Sequence, residues 1–278
     1  MKVATTQFSL EPVNNEDQFW SRIETLISEA SSKGAKVILL PEYFSLSWIL
    51  FKIGATTFKQ NLARCNEVLI DFERKFQSFS NQYTISVISG TTPISKDNKI
   101  SNRSFIFQPH LKPIFQDKVH MTRFENEEWN ISGGPEDLTV FQIENFNCAV
   151  TTCYDVEFPS VTAIAAKKQV DILFVPSCTD DIHGYWRVRH CAQARTIENQ
   201  CFALMSSIVS GDPRWSEIDS HFGQSGIFTP CDKGFPEAGI QLLGTLNKEG
   251  VIVSELNKES LEIIRKNGTV LNLRDLNK

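Results

Sequence analysis

A nearly uninterrupted apolar run near the N-terminus limits the folds open to this chain more than any other feature. Residues 35–40 read Ala-Lys-Val-Ile-Leu-Leu, the pattern of a strand that is covered on both faces. A strand-like segment at residues 2–8 precedes it, and between them residues 16–32 repeat apolar side chains at helical spacing. The pattern therefore predicts a strand–helix–strand unit with parallel strands, which is typical of α/β folds.

The rest of the chain continues this alternation of strands and helices. Further strands are predicted at 84–91, 104–108, 138–143, 146–152, 170–175, 201–209, 222–228 and 240–246, and further helices at 66–82, 160–168, 186–200 and 255–266. Residues 45–65 show no period and are read as irregular. Neither a repeat nor a Ser/Gly/Pro-rich linker divides the sequence, so we expect a single domain over residues 1–278. The two successive halves indicate two packed sheets with helices outside.

Cys153 lies where an apolar strand ends and a helix is about to begin. Ligands of open α/β sheets bind at the carboxyl ends of the strands, and a nearby helix N-terminus favours a thiolate. A buried cysteine that acts only as a small hydrophobic side chain is the alternative. The catalytic interpretation of Cys153 requires a base or a cation for the thiol at another strand end of the chain.

Glu42 and Lys118 share the position of Cys153, because each follows an apolar strand. A thiol becomes a good nucleophile only as the thiolate, so it needs a base or a nearby cation. Glu42 can supply the base, and Lys118 can supply the cation and stabilise a tetrahedral intermediate. Taken singly, each has a simpler interpretation, as a solvated loop glutamate and a surface lysine. Among the histidines only His120 lies near one of these strand ends, which weakens a Cys-His arrangement.

Charge and cysteine usage exclude several classes of function. The net charge of −5 and the pI near 5.6 argue against binding to nucleic acid or to a membrane surface. No apolar run is long enough to cross a bilayer, and residues 1–8 lack the features of a signal peptide. Seven scattered cysteines without CxxC pairs predict free thiols in the cytoplasm and no metal site. No cofactor is expected.

Six short motifs, in this order along the chain, carry a resemblance to a known family. They are Leu39-Leu40-Pro41-Glu42, Asp117-Lys118-Val119-His120, Cys153-Tyr154-Asp155 with Phe158-Pro159, Val175-Pro176-Ser177, Ala194-Arg195-Thr196-Ile197-Glu198-Asn199 and His221-Phe222-Gly223-Gln224-Ser225. Together they resemble the nitrilase, or carbon–nitrogen hydrolase, superfamily, and especially a poorly characterised amidohydrolase-like branch. The resemblance implies an α-β-β-α sandwich and a homodimer or larger assembly.

The resemblance also implies a catalytic set. Its triad falls on Glu42, Lys118 and Cys153, and a second glutamate is expected in the loop after the lysine. Glu127 matches best, with Glu125 and Glu128 close by. The expected substrate-binding residues are Tyr154, whose backbone N–H would bind an oxyanion, Glu157 and Ser177.

The implied activity is hydrolysis of the C–N bond of an amide, carbamoyl compound or nitrile through a thioester on Cys153. An acyl transferase that passes the same thioester to an amine, and a scaffold without catalysis, are the alternatives, because fold alone cannot choose among them. The chain departs from the family pattern at Cys231-Asp232-Lys233 and in the acidic loop at residues 177–181. Such loops set specificity, so no substrate is transferred.

Overall fold

A computed structural model gives the fold and describes residues 1–97 and 99–276. The strands are β1 (Lys2–Ser9), β2 (Val37–Leu39), β3 (Ser86–Ile88), β4 (Thr92–Lys96), β5 (Lys99–Phe107), β6 (Ile114–Asp117), β7 (Phe141–Ile143), β8 (Phe146–Val150), β9 (Ile172–Ser177), β10 (Phe202–Ser210), β11 (Gly226–Phe228), β12 (Ile240–Leu243) and β13 (Gly250–Glu255).

Helices occupy the connections between these strands. They are α1 (Glu16–Ser32), α2 (Leu46–Ile53), α3 (Phe58–Ala63), α4 (Leu69–Tyr83), α5 (Arg123–Glu127), α6 (Pro159–Lys167), α7 (Ile182–Glu198), α8 (Lys258–Asn267) and α9 (Asn272–Asp275). Two short 3-10 helices cover Cys65–Glu67 and Cys153–Glu157. None of the helices in the described ranges is long and apolar enough to span a membrane.

The strands are arranged in one curled sheet whose two halves pack face to face. Its main path runs β4-β5-β3-β2-β1-β10-β9-β8-β7, and β1 joins the halves by pairing in parallel with both β2 and β10. Alternate side chains of each strand enter different layers. Leu39 of β2 and Phe174 of β9 meet in one apolar cluster between the halves, whereas their neighbours Ile38 and Leu173 pack into two outer clusters.

This arrangement confirms the expected α/β sandwich with outer helices. The first outer cluster contains the buried side chains of α1 and α4, and the second contains those of α6 and α7. The two expected sheets are joined by hydrogen bonds through β1 into one.

Strand direction places three strand ends at one edge. Strands β2, β1, β10, β9 and β8 are linked by successive parallel pairings. Strand β3 is parallel to β2, and two antiparallel pairings, β3 with β5 and β5 with β6, bring β6 back into the same direction. The carboxyl ends of β2, β6 and β8, which precede Glu42, Lys118 and Cys153, therefore point the same way.

Several segments differ from the sequence-based expectation: β4 was not expected, and α5 occupies the loop predicted after Lys118. Residues 45–65 are helical, in α2, α3 and a 3-10 helix. Five successive residues of α2, Leu46–Leu50, are buried, so no amphipathic period exposes the helix in the sequence. Strand β13 was not expected either, although it pairs with β1 from Lys2 to Gln7.

A buried carboxylate, that of Asp171, holds helix α8 against the sheet. Asp171, at the start of β9, binds Lys258 Nζ at 3.0 Å and Arg265 Nη1 at 2.6 Å. Arg265 also donates to the carbonyl oxygens of Val170 and Gln200, each at 2.9 Å. The side chain of Asp171 is only 2% exposed, so water cannot replace these partners easily.

Asp171→Asn is expected to lower the free energy of unfolding by about 3 kcal/mol, because two partly buried cations lose their shared carboxylate. Urea denaturation monitored by fluorescence measures the loss. The control is Asp71→Asn, which breaks an exposed pair with Arg74 and should cost less than about 1 kcal/mol. Equal losses in the two variants would contradict a stabilising role for the buried pair.

Candidate active site

Glu42, Lys118 and Cys153 meet at the common edge of the curled sheet. All three are nearly inaccessible, with 1%, 1% and 4% of their surface exposed. Lys118 Nζ donates to Glu42 Oε1 at 2.9 Å, and the thiol of Cys153 lies close enough to Glu42 for each to shift the pKa of the other. The residues predicted from three separate strand ends therefore form one cluster.

Lys118 is held between two carboxylates. Its ammonium donates to Glu125 Oε2 at 2.7 Å as well as to Glu42. The Asn102 amide donates to the same pair, at 2.9 Å to Glu42 and 3.2 Å to Glu125. The backbone N–H of Cys178 gives Glu42 a further hydrogen bond, at 3.1 Å to Oε2. With one cation for two buried carboxylates, the cluster would carry a net negative charge if both were ionised.

This charge imbalance separates the pKa values of the two glutamates. Burial and the charge of Glu125 together raise the pKa of Glu42 to about 7, against the opposing effect of Lys118. Burial also acts to raise the pKa of Glu125, but Lys118 and the hydrogen bonds that Glu125 accepts hold it below its usual value. Glu42 is thus the group that exchanges a proton near neutral pH, which is the property of a general base.

Glu125 owes its position to a capping box. The N–H and Oγ1 of Thr122 donate to Glu125 Oε2 at 2.9 and 2.7 Å, so the carboxylate folds back over the start of α5. Tyr43 Oη donates to Glu125 Oε1 at 2.6 Å. The Thr122-x-x-Glu125 spacing is the sequence signal that points to this geometry.

Glu127, the residue preferred from the sequence as the second glutamate, lies away from the cluster. Its side chain is 61% exposed and pairs with Arg123 at 3.3 Å. Glu128 is exposed as well. Because residues two apart on a helix point in different directions, Glu125 and Glu127 cannot both face Lys118. The position expected for Glu127 is therefore filled by Glu125.

Cys153 has a backbone conformation that few residues adopt. Its φ is +45°, in the left-handed region, which costs on the order of 1–2 kcal/mol for a residue with a side chain. Asp155 links the 3-10 helix that begins at Cys153 to the segment after Lys118, because it accepts the N–H groups of Val119 at 3.1 Å and His120 at 2.7 Å. The thiol contacts the carbonyl oxygen of Cys178 at 3.7 Å. Burial, and then the charge of Glu42, raise the pKa of Cys153 well above its usual value.

A cavity of about 350 Å³ opens onto the cluster. Tyr154 and Glu157 lie on its wall, as expected from the sequence, together with Tyr43, Phe124 and Trp129, which the sequence did not reveal. Ser177 does not line it. Its Oγ points into the protein and bonds the Val175 carbonyl at 3.3 Å, so the next residue, Cys178, takes its place on the wall. In the part of the chain that the structure describes, no group of three metal-binding side chains occurs.

The sequence places the chain in a family. The profile of the carbon-nitrogen hydrolase family matches residues 2–264, and the chain belongs to this family. The probable hydrolase YhcX of Bacillus subtilis is 31% identical over 275 residues, covering 99% of this chain and 53% of YhcX. The chain therefore spans about half the length of that relative.

Other relatives are named as amidases. An omega-amidase of Xenopus tropicalis is 24% identical over 278 residues, which cover 95% of this chain and 91% of that protein. A 2-oxoglutaramate amidase of Bacillus subtilis is 25% identical over 248 residues, with coverage of 84% and 83%. Among solved structures, the amidase of Nesterenkonia sp. AN1 has the same fold, with a TM-score of 0.75, 18% identity and coverage of 99% and 96%.

The raised pKa of Glu42 leads to a prediction about the reactivity of Cys153. Alkylation of Cys153 by chloroacetamide should accelerate about tenfold per pH unit below about pH 7 and level off above it, because only ionised Glu42 can accept the thiol proton. Peptide mass spectrometry of samples quenched over time gives the rate at Cys153 separately from the other cysteines.

The control is Glu42→Gln, which keeps the shape of the side chain and removes the base. Its alkylation rate should be lower at neutral pH and should rise without a bend near pH 7. The same bend in both proteins would show that another group deprotonates the thiol.

Proposed function

We propose that the chain is a thiol hydrolase that cleaves the C–N bond of a small-molecule amide through a thioester on Cys153. The observation that carries the proposal is the buried contact of Lys118 with Glu42 and Glu125 beside the thiol, at the wall of the cavity. Relatives named as amidases support the reaction class. A variant of the Nesterenkonia amidase carries the acetamide moiety of fluoroacetamide at its active-site cysteine, which supports the cysteine as nucleophile.

In the first half of the proposed reaction, Glu42 takes the proton of Cys153 as the sulfur attacks the carbonyl carbon. The C=O electron pair moves to oxygen, and the resulting oxyanion is stabilised by Lys118 and the backbone N–H of Tyr154. Protonated Glu42 then gives its proton to the nitrogen. The C–N bond breaks, and ammonia or an amine leaves the thioester.

In the second half, Glu42 takes a proton from water as the water oxygen attacks the thioester. Collapse of the second tetrahedral intermediate breaks the C–S bond, releases the carboxylic acid and returns the proton to Cys153.

In this proposal Glu125 keeps Lys118 in place and charged. Burial alone would lower the pKa of Lys118, but the two carboxylates raise it well above its usual value. Carbamoyl compounds and nitriles also offer the thiol an electrophilic carbon.

We also propose the cytoplasm as the location of the protein, which its scattered cysteines without CxxC pairs support, and a homodimer or larger assembly as its form, which the family resemblance supports.

Cys153→Ala should abolish amide hydrolysis while leaving the melting temperature nearly unchanged, because the thioester cannot form. Ammonia release from a panel of primary amides measures turnover, and intact-mass spectrometry of the quenched wild-type protein should show the acyl adduct. Adding an amine and analysing the product separates hydrolysis from acyl transfer. Ammonia release by the alanine variant at the wild-type rate would exclude Cys153 as the nucleophile.

A matched pair of substitutions tests the second glutamate. Glu125→Gln should lower kcat at least about a hundredfold, because the Lys118 ammonium loses one of its two carboxylate partners and its orientation toward the oxyanion. Glu127→Gln removes the same charge two residues away and should leave kcat within about threefold. If Glu127→Gln were the more damaging change, the assignment of Glu125 would be wrong.

A further inference from the structure

The outer part of the cavity has a charge pattern that the proposed chemistry does not use. Outside the Lys118 cluster its wall carries four carboxylates, and they belong to Glu157, Asp180, Asp181 and Glu217. The cations on the same wall, besides Lys118, are Arg123 and Arg187. The net effect on a bound molecule depends on which of these charges are already paired.

Both arginines form exposed ion pairs with carboxylates. Arg187 lies 3.7 Å from Glu157, and Arg123 lies 3.3 Å from Glu127 at the rim. Asp181 is engaged in a different way, because its side chain accepts the N–H of Gly184 at 2.8 Å and caps α7. Among the described residues, no cation lies within ion-pair distance of Asp180 or Glu217. The unpaired charge of the outer cavity is therefore negative.

Asp180 is held among like charges. Although Asp180 is exposed at the rim, partial burial of its carboxyl and the charges of Asp181, Glu125 and Asp219 together raise its pKa to about 6. Each of these contributions opposes ionisation of Asp180, and a cation placed beside it would reverse them. A ligand of positive charge is thus stabilised at this point of the wall.

His221 supplies a second, independent sign of a ligand. It is 8% exposed, lines the same cavity, and its Nδ1 has no hydrogen-bond partner among the described residues. Burial lowers the pKa of His221 to about 4, so the ring is neutral and one of its nitrogens is an acceptor. Leaving a buried polar atom unpaired costs about 1–3 kcal/mol, which an N–H donor on a ligand would offset.

The backbone brings His221 next to Asp180. The N–H of Phe222 donates to the Thr179 carbonyl at 2.9 Å, and Thr179 Oγ1 donates to the Phe222 carbonyl at 2.6 Å. The residue after Thr179 and the residue before Phe222 therefore sit side by side on the wall. One is an unpaired carboxylate and the other a neutral acceptor, a combination that suits a group with a positive charge and several N–H donors.

We propose that the substrate is an amide whose far end carries a primary ammonium group, bound by Asp180 with His221 as a hydrogen-bond acceptor. The proposal rests on the proposed amide hydrolysis and names the substrate class of that site. A cavity of about 350 Å³ accommodates a short aliphatic chain between Cys153 and Asp180. Anionic amides are disfavoured, because outside the Lys118 cluster the wall carries four carboxylates against two arginines.

Three amides of matched length test the substrate class. They are 5-aminopentanamide, hexanamide, in which a methyl group replaces the ammonium, and adipamate, which carries a carboxylate. The kcat/KM should be at least about tenfold higher for 5-aminopentanamide than for hexanamide, with adipamate lowest, since a hydrogen bond to a charged group contributes about 1.5–3 kcal/mol. Asp180→Asn should reduce the ratio of the first two values at least about tenfold. Glu11→Gln, which removes an exposed carboxylate that does not line the cavity, should leave the ratio unchanged.

A binding experiment tests the ammonium site independently of the proposed hydrolysis. Isothermal titration of Cys153→Ala with the three amides should give the same order of affinity, and the double variant Cys153→Ala/Asp180→Asn should lose the preference for the ammonium. If this order holds but the wild-type protein hydrolyses none of the amides, the proposed reaction fails and the binding preference stands. If 5-aminopentanamide binds no more tightly than hexanamide, or Asp180→Asn leaves the preference intact, the ammonium site is overturned.

Discussion

The ammonium of Lys118 between Glu42 and Glu125 is the interaction on which the rest of the site depends. Burying an ion costs several kcal/mol even after the protein relaxes, and here three ionisable groups are buried together. The cost is offset because each carboxylate has further donors: Asn102 bonds both, Cys178 bonds Glu42, and Tyr43 bonds Glu125. These donors come from separate elements, so the cluster also fixes how β5, α5 and the loops after β2 and β9 meet.

The imbalance of charge in this cluster gives the two glutamates different roles. Two carboxylates share one cation, and the one with more hydrogen-bond donors keeps its charge more easily. Glu125 accepts from Tyr43 and twice from Thr122, which stabilises its ionised form. Glu42 is left with the raised pKa and lies next to the thiol. The division into a permanent counter-ion and a titrating base thus follows from local hydrogen bonding.

Much of this site could be predicted from the sequence. Strands buried on both faces are recognisable as apolar runs, and a polar residue directly after such a run is a candidate for the site. That reasoning located Glu42, Lys118 and Cys153 from three distant segments. It failed for Glu127, which lies on the exposed side of the unexpected helix α5, and for Ser177, which ends β9 but turns its Oγ back to the Val175 carbonyl. The capping box of Thr122 and Glu125 was readable in principle. Helix α2 was not, since five successive buried residues remove the amphipathic period, and α3, with six residues, is too short to show one.

The protonation state of the Cys153 thiol follows from the same electrostatics. A thiolate at Cys153 would add an anion to a buried cluster that already holds more carboxylates than cations, so burial and Glu42 raise the pKa of the thiol well above its usual value. Glu42, with a pKa of about 7, cannot hold the thiol proton in the absence of substrate. In the proposed mechanism, proton transfer therefore accompanies attack on the carbonyl, because the negative charge then moves onto an oxygen beside Lys118 instead of remaining on sulfur. In that mechanism the thiol stays unreactive until an electrophilic carbon is in place, and the strained turn at Cys153 holds the sulfur at the edge of the cluster.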